Sequence, residues 1–149
     1  GRDVIEGNAG DDLLAGDNQE DVLRGGVGND KLIGGAATDR LFGGDGNDIL
    51  EGGDGNDTLF GDAGNDTVSG NFGNDSIRGG EGNDLLAGNQ DNDSLLGDGG
   101  NDKLYGGAGI DTANGGVGQD TLGMVDGEID TITDDGIDTV FSDAFDIFV

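Results

Sequence analysis

The stretch Gly25-Gly26-Val27-Gly28-Asn29-Asp30-Lys31-Leu32-Ile33 decides the fold, because most of the chain consists of copies of it. Thirteen consecutive nine-residue units run from Gly7 to Gly123 without insertion or deletion, and part of a fourteenth precedes them. Position 1 is Gly in all thirteen units, position 6 is always Asp, and position 8 is Leu, Ile or Val except at Ala113. A fixed short period predicts a solenoid whose units pack on their neighbours.

Each unit predicts a turn followed by a short strand. Positions 1–5 are rich in Gly, Asn and Asp, which tolerate positive φ, and positions 7–9 form a strand with one inward side chain at position 8. Two units on opposite sides complete one coil, so equivalent residues of every second unit lie above one another at the strand spacing of about 4.8 Å. The sequence therefore predicts an all-β solenoid with a ladder of aliphatic side chains inside.

The composition indicates a chain that cannot fold without a ligand. The formal net charge is −27, with 35 Gly and no Cys among 149 residues. Such a field repels nucleic acid and anionic membranes and attracts cations, and no apolar run is long enough to predict membrane insertion. One aliphatic side chain in each unit does not offset the conformational entropy of so glycine-rich a chain. We therefore predict an unfolded metal-free state.

Stacking of every second unit aligns the position-6 aspartates in two columns of turns. The regular column carries Asp12, Asp30, Asp48, Asp66, Asp84, Asp102 and Asp120. The irregular column carries Asp3, Asp21, Asp39, Asp57, Asp75, Asp93 and Asp111. Carboxylates stacked about 5 Å apart repel one another unless a cation lies between them. Oxygen donors without His or Cys disfavour zinc, and their flexible arrangement favours Ca²⁺ over Mg²⁺.

The two columns differ at positions 4 and 5 of the unit. Position 4 departs from Gly at Gln19, Ala37 and Asp91, all in the irregular column. The regular column keeps Gly at position 4 and has Asn at position 5 from Asn29 to Asn101. A non-Gly residue at positive φ costs about 1–2 kcal/mol. We therefore expect weaker turns, and fewer occupied cation sites, in the irregular column.

The unit Gly-Gly-x-Gly-x-Asp-x-aliphatic-x resembles the RTX calcium-binding nonapeptide over residues 1–123. The resemblance implies a right-handed parallel β-roll with two nonapeptides per coil. It also implies that each Ca²⁺ takes the carbonyls of positions 2 and 4 and the Asp of one turn, with the carbonyls of positions 1 and 3 and the Asp of the next. One such site consists of Gly26, Gly28, Asp30, Gly43, Asp45 and Asp48.

The same ligand pattern extends along both columns. In the regular column it adds Gly44, Gly46, Gly61, Asp62, Ala63, Gly64, Gly79, Gly80, Glu81, Gly82, Gly97, Asp98, Gly99, Gly100, Gly115 and Val117, and in the irregular column it includes Gly53 and Gly55. Seven turns in each column allow twelve sites between turns, and twelve Ca²⁺ would bring +24 against the charge of −27. We expect about 8 to 12 bound ions.

Residues 124–149 predict a second region made of degenerate repeats, a C-terminal cap and a secretion tail. Asp130-Thr131-Ile132 and Asp138-Thr139-Val140 resemble positions 6–8, and Asp138 falls two unit lengths after Asp120 in the regular column. The apolar residues Phe141, Phe145, Ile147 and Phe148 are candidates for covering the open end of the solenoid. The final Asp146-Ile147-Phe148-Val149 is similar to the acidic and apolar terminus of type I secreted bacterial RTX proteins.

These features favour a monomeric, calcium-responsive folding module of a bacterial protein that the type I machinery exports to the cell surface or medium. Gly1 falls at position 4 of the unit, so we expect a segment of a longer array. Without His or Cys we expect no enzyme in this segment. Two alternatives stay open, namely a structural or adhesive surface module and the C-terminal half of a secreted enzyme with catalysis upstream. The row Arg24, Phe42, Phe60 and Arg78 predicts cation–π stacking on one sheet face.

Overall fold

Each repeat contributes one strand, and the strands extend beyond the predicted positions 7–9. The computed structural model describes residues 1–124, 126, 128, 130–133, 138–142 and 146–149. A typical strand covers positions 7 to 9 and continues through positions 1 to 3 of the next unit, as in Lys31–Ala36. Gly35 in that strand has a φ of 115°, so the backbone bends there while pairing persists.

The seventeen strands have regular bounds up to the last repeats. They are β1 Val4–Ala9, β2 Leu13–Asp17, β3 Val22–Val27, β4 Lys31–Ala36, β5 Arg40–Asp45, β6 Ile49–Asp54, β7 Thr58–Ala63, β8 Thr67–Phe72, β9 Ser76–Glu81, β10 Leu85–Gln90, β11 Ser94–Gly99, β12 Lys103–Ala108, β13 Thr112–Val117, β14 Thr121–Met124, β15 Thr131–Thr133, β16 Thr139–Ser142 and β17 Ile147–Phe148. The described residues contain no helix. None therefore forms a helix that would cross a membrane.

The strands alternate between two parallel sheets. The odd-numbered strands form a nine-stranded sheet and the even-numbered strands an eight-stranded sheet, each in sequence order. Neighbouring strands pair with an offset of two repeats, as Leu32 does with Leu50 and Leu41 with Leu59. This register confirms the predicted parallel β-roll with two nonapeptides per coil.

The position-8 side chains form the core between the two sheets. The buried members are Leu14, Leu23, Leu32, Leu41, Leu50, Leu59, Val68, Ile77, Leu86, Leu95, Leu104, Ala113, Leu122 and Ile132, joined by Met124. Met124 is a departure from the repeat, because it stands at position 1 where the other units have Gly. Its side chain is fully buried, which the repeat pattern did not predict.

The last repeats extend both sheets, and the register changes twice in one of them. Thr112 pairs with Thr131, an offset of 19, and Thr131 pairs with Ile147, an offset of 16. Thr121 pairs with Thr139 at the regular offset of two repeats. The degenerate repeats predicted after Gly123 therefore continue the roll.

The aromatic residues predicted to form the cap take different positions in the two sheets. Phe148 pairs with the buried Ile132 at the end of the aliphatic ladder in its sheet and is 53% exposed. Phe141 instead pairs with Gly123 in the position-9 row and is 57% exposed, so the expectation that it covers the ladder was wrong. The ladder of that sheet ends at Val140, which packs against the core. Phe145 lies outside the described residues.

Candidate metal centre

The position-6 aspartates form a continuous hydrogen-bonded ladder along each column. The backbone N–H of each Asp donates to Oδ1 of the Asp one coil further on, as Asp30 does to Asp48 over 2.7 Å and Asp48 to Asp66 over 2.7 Å. Each Asp therefore points its carboxylate back toward the preceding coil. We call each of these two series an acid ladder.

Most members of each acid ladder have one buried carboxylate oxygen that accepts no hydrogen bond. Among the described residues, Oδ2 is buried and accepts no hydrogen bond in Asp12, Asp21, Asp30, Asp39, Asp48, Asp57, Asp66, Asp75, Asp84, Asp93, Asp102, Asp111, Asp120, Asp130 and Asp138. A buried carboxylate oxygen without a donor is costly, and its repetition in every turn cannot be an accident of one site. The ladder therefore has the donor set of a cation-binding column.

The invariant glycine at position 1 lets this oxygen lie close to the backbone. A methyl carbon placed on Gly34 would lie 2.6 Å from Oδ2 of Asp39 in its own turn and 2.6 Å from the carbonyl oxygen of Gly52 in the next. The same carbon on Gly7 would lie 2.7 Å from Oδ2 of Asp12. In most turns a carboxylate oxygen and the position-1 carbonyl of the next coil thus both approach the position-1 glycine. A Cβ at that position would collide with these two oxygens.

Burial gives these carboxyl groups an unusual affinity for protons. Burial, together with neighbouring carboxylates of the same column, raises the pKa of Asp66, Asp75 and Asp93 to about 7. In all three residues the hydrogen bond from the backbone N–H of the Asp one coil earlier lowers the pKa and so opposes these effects. The same causes raise the pKa to about 6 in Asp39, Asp102 and Asp130. At neutral pH the ionised form of these carboxyl groups is therefore unfavourable in free energy. A bound cation would remove this penalty.

The carbonyls of positions 2 and 4 face the next coil. A methyl carbon on Gly44 would clash with the carbonyl oxygen of Gly26, and one on Gly46 with that of Gly28. Both Gly44 and Gly46 also have positive φ, so glycine is required there on two counts. Of the residues predicted to form one site, the structure therefore directs Gly26 and Gly28 toward the coil that carries Asp48.

The carbonyl of position 3 has a different role in this structure. The backbone N–H of Gly28 donates to the carbonyl of Asp45 over 2.9 Å, and the equivalent bond joins Gly46 to Ala63 over 2.8 Å. Position 3 thus already accepts one hydrogen bond, while a carbonyl oxygen retains a second lone pair. The sequence did not predict this bond, because it exists only when two coils stack.

A second ladder, at position 5, was missed by the sequence interpretation. The backbone N–H of Asn47 donates to Oδ1 of Asn29 over 2.9 Å, and Asn65 repeats the bond to Asn47 over 2.7 Å. Its side chains accept from the following coil, whereas those of the acid ladder accept from the preceding coil. The recurrence of Asn at position 5 was the signal that could have predicted it.

The irregular column makes fewer of these turn bonds. Ala37 and Asp91 stand at position 4 with φ of 87° and 72°, whereas Gln19 does not adopt positive φ. The N–H of Gly73 donates to the side chain of Asp91 instead of to a position-3 carbonyl. The difference predicted between the columns thus appears in the turns, while the acid ladder continues through both.

The structure extends both columns beyond the thirteen repeats. Asp120 donates its N–H to Oδ1 of Asp138 over 3.0 Å, as the spacing of two repeats predicts. The irregular column continues from Asp111 to Asp130 over 2.8 Å and then to Asp146 over 3.2 Å. Asp130 was missed as a candidate ligand, because a strict two-repeat period does not reach it.

The donor set fits a hard cation better than a soft one. In the described part of the chain, no three Asp or Glu side chains lie close enough together to hold a metal by themselves. An ion beside the acid ladder would therefore complete its coordination with backbone carbonyls, which Ca²⁺ accepts readily. The unpartnered Oδ2 atoms and the facing carbonyls agree with this chemistry.

A parallel β-roll with an acid ladder along each row of turns defines a repeat protein of the cation-binding class. A family model described as RTX calcium-binding nonapeptide repeat (4 copies) matches residues 1–32, 33–68, 60–95, 69–104 and 96–122. The chain therefore belongs to the RTX calcium-binding repeat family, and RTX repeats bind calcium. No curated protein sequence matches this chain.

Proposed function

We propose that this chain is a calcium-responsive folding module. The observation that supports this most strongly is the set of fifteen buried Asp Oδ2 atoms without a hydrogen-bond donor among the described residues. In the metal-free chain these carboxylates oppose folding, because they are desolvated and stacked on one another. Bound calcium reverses the sign of that contribution, so the free energy of binding becomes free energy of folding.

The proposed ligands follow the family pattern on the residues of this chain. Each ion lies between two consecutive turns of a column, such as those of Asp30 and Asp48, and uses their carboxylates. The carbonyls of Gly26, Gly28 and Gly43 face the same interval between coils, which supports their assignment. We propose about 8 to 12 ions for the whole array, with full occupancy in the regular column.

The proposed biological setting is export followed by folding outside the cell. The family is typical of secreted bacterial proteins. A chain that stays unfolded at low cytosolic calcium can pass through a narrow type I exporter and fold in the calcium-rich medium. The terminal Asp146-Ile147-Phe148-Val149 supplies the export signal in this proposal, and the module contributes no catalysis of its own.

Far-ultraviolet circular dichroism of metal-stripped protein tests the folding proposal. Titration with CaCl₂ should convert a disordered spectrum into a strand spectrum in one cooperative transition. MgCl₂ at about 10 mM should leave the spectrum unchanged, because Mg²⁺ keeps its waters and demands a stricter geometry. A strand spectrum already present in chelator, or an equal response to both ions, would reject calcium-driven folding.

The export proposal needs a separate measurement. Removal of Asp146–Val149 should lower the amount of protein secreted through a type I exporter, while calcium still folds most of the purified variant. Unchanged secretion of this variant would contradict the role of the terminal tetrapeptide without affecting the calcium proposal.

A further inference from the structure

The outer face of the nine-stranded sheet carries a short stack of aromatic rings. Phe42 and Phe60 occupy the same position on β5 and β7, with their ring centroids 5.1 Å apart and their planes within 5°. The guanidinium of Arg24, on the strand before, lies 5.2 Å from the centroid of Phe42. One end of the stack is therefore already covered by an arginine of this chain.

The other end of the stack is not covered in the same way. Arg78 pairs with Phe60 in the strand register and was expected to stack on it. Instead its Nε and a terminal nitrogen both donate to Asp98 two strands beyond Phe60, the latter over 3.0 Å. The predicted cation–π row is therefore confirmed at Arg24 and Phe42 and is wrong at Arg78. Phe60 and Arg78 both line an open space on this side of the stack.

This space is a groove of about 530 Å³ that we call the Phe60 groove. Its wall residues are Phe60, Asp62, Arg78, Glu81, Asp98 and Val117, and glycines form its floor. It crosses β7, β9, β11 and β13, which is roughly 14 Å at the usual strand spacing. That length exceeds one side chain and corresponds to about four residues of extended peptide.

The groove has an excess of negative charge. Three carboxylates, those of Asp62, Glu81 and Asp98, face one guanidinium, that of Arg78. Arg78 is engaged by Asp98, and the carboxylate of Asp62 accepts no hydrogen bond within the described part of the chain. Asp62 also sits at a φ of 75°, a conformation that costs a non-Gly residue energy. The groove thus combines an aromatic face with a carboxylate that is free to accept hydrogen bonds.

One glycine that lines the groove is not required by the backbone conformation. Gly99 stands at position 3, where the φ is not positive, and the equivalent residue one coil further on is Val117. A methyl carbon on Gly99 would meet Glu81 Oε2 at 3.5 Å, an ordinary contact. Its absence leaves room beside the Glu81 carboxylate for a ligand.

We propose that the Phe60 groove binds an arginine side chain presented by an extended peptide segment of a partner protein. The guanidinium stacks on the free face of Phe60, as Arg24 stacks on Phe42 at the opposite end, and it donates hydrogen bonds to Asp62 and Glu81. The excess of carboxylates over guanidinium in the groove attracts such a basic segment. Neighbouring peptide residues lie along the groove and cover Val117, which is 78% exposed.

Nuclear magnetic resonance of the calcium-saturated full chain tests this proposal, with the acetylated tetrapeptide amide Ala-Arg-Ala-Ala as the probe at near-physiological salt. The expected result is saturable shifts of the amides of Glu81, Gly80 and Gly99. Phe60→Leu should weaken binding about threefold, the effect of one exposed cation–π contact, and Asp62→Asn should weaken it by a similar factor. A dispersed spectrum verifies that each variant is folded.

Two controls make the test specific. Phe72→Leu changes an exposed ring in the other column of turns and should leave the affinity unchanged. The same tetrapeptide with citrulline in place of arginine should give no saturable shifts, because citrulline lacks the charge. Equal affinity of Phe60→Leu and wild type, or equal binding of the citrulline peptide, would overturn the proposal. Equal binding of N-acetylarginine amide would overturn the assignment to a peptide.

Discussion

The regular and irregular columns carry the same acid ladder but surround it with different turns. The ladder runs from Asp12 to Asp138 in one column and from Asp3 to Asp146 in the other. In the regular column, six position-4 N–H groups bond to position-3 carbonyls and six position-5 N–H groups bond to side chains. The described residues of the irregular column make two of the position-4 bonds and three of the position-5 bonds.

The difference separates two requirements of the repeat. The acid ladder needs only Asp at position 6 and a strand that stacks in register, and both columns meet that condition. The turn bonds need a residue that adopts positive φ at position 4 and an Asn or Asp side-chain acceptor at position 5. The irregular column fails this condition at Gln19 and at Ile110, for example. We therefore expect the columns to behave alike toward protons and differently toward calcium.

The largest expected effect concerns the shared part, the acid ladder, and its response to pH. The folded pKa of about 7 for Asp66 and Asp93 lies above the ordinary value of 3.8. Protons therefore favour the folded metal-free chain, an effect complete below about pH 4 and lost as the pH rises to about 7. Circular dichroism of metal-stripped protein should show more strand structure at pH 5 than at pH 7.5.

Calcium and protons compete for the same carboxylates, so the calcium midpoint should also rise as the pH falls from 7.5 to 5.5. Carboxyl carbon resonances should titrate in both columns. A metal-free chain whose strand signal grows with rising pH, or titration confined to one column, would contradict a shared acid ladder.

The second prediction tests whether the turns set calcium affinity. Asp66→Ala removes a carboxylate shared by two proposed sites in the regular column. Asp93→Ala removes the equivalent carboxylate in the irregular column, in the turn that contains Asp91. Loss of a charged ligand is worth about 1.5–3 kcal/mol, which corresponds to at least about a tenfold rise in midpoint for Asp66→Ala. The rise should be smaller for Asp93→Ala, because its turn contributes less to folding. Equal midpoints in calorimetric titrations would show that the acid ladder alone sets the affinity.

The third prediction repairs one turn of the irregular column. Ala37 has a φ of 87°, which costs a residue with a Cβ about 1–2 kcal/mol. Ala37→Gly should remove that strain and stabilise the calcium-saturated chain by up to about 1 kcal/mol, after the entropy lost by glycine. Urea unfolding in excess calcium measures the difference. Ala36→Gly, one residue earlier at position 3, is the control and should destabilise.

The smallest expected effects concern the position-5 ladder. Asn65→Ala should destabilise the regular column by about 1 kcal/mol, because the N–H of Asn83 loses its acceptor. Thr38→Asn should restore an acceptor for the irregular column and stabilise by a similar or smaller amount. Urea midpoints in saturating calcium measure both. Destabilisation by Thr38→Asn would mean that the Asn side chain does not reach the next coil there.

Much of the fold followed from the nine-residue period. The alternation of two units per coil, the two-repeat register and the aliphatic ladder all depend on residue types that recur at fixed positions. The same reasoning predicted the two acid columns, including Asp138 beyond the last complete unit. Equivalent residues of successive repeats have equivalent surroundings, so a correct interpretation of one unit predicts the structure of all thirteen.

The exceptions were predicted poorly, and each has a physical reason. Met124 replaces an invariant Gly and is buried, because its flexible apolar side chain packs into the aliphatic core. Asp130 joins the irregular column at an offset of 19, which a fixed period excludes. Phe141 faces outward because its neighbour Val140 holds the inward position.

By itself the sequence determined which residues recur and hence the coil, the core and the candidate ligands. Only the tertiary structure decided what the polar groups do between coils. The N–H of Asp30 and the carboxylate of Asp48 meet across two repeats, and their bond leaves Oδ2 of Asp48 buried without a donor. Likewise Arg78 had both Phe60 and Asp98 within reach in the repeat pattern, and the geometry of the outer sheet face selected Asp98. Hydrogen-bond partners depend on distance and direction in space, which a one-dimensional period does not contain.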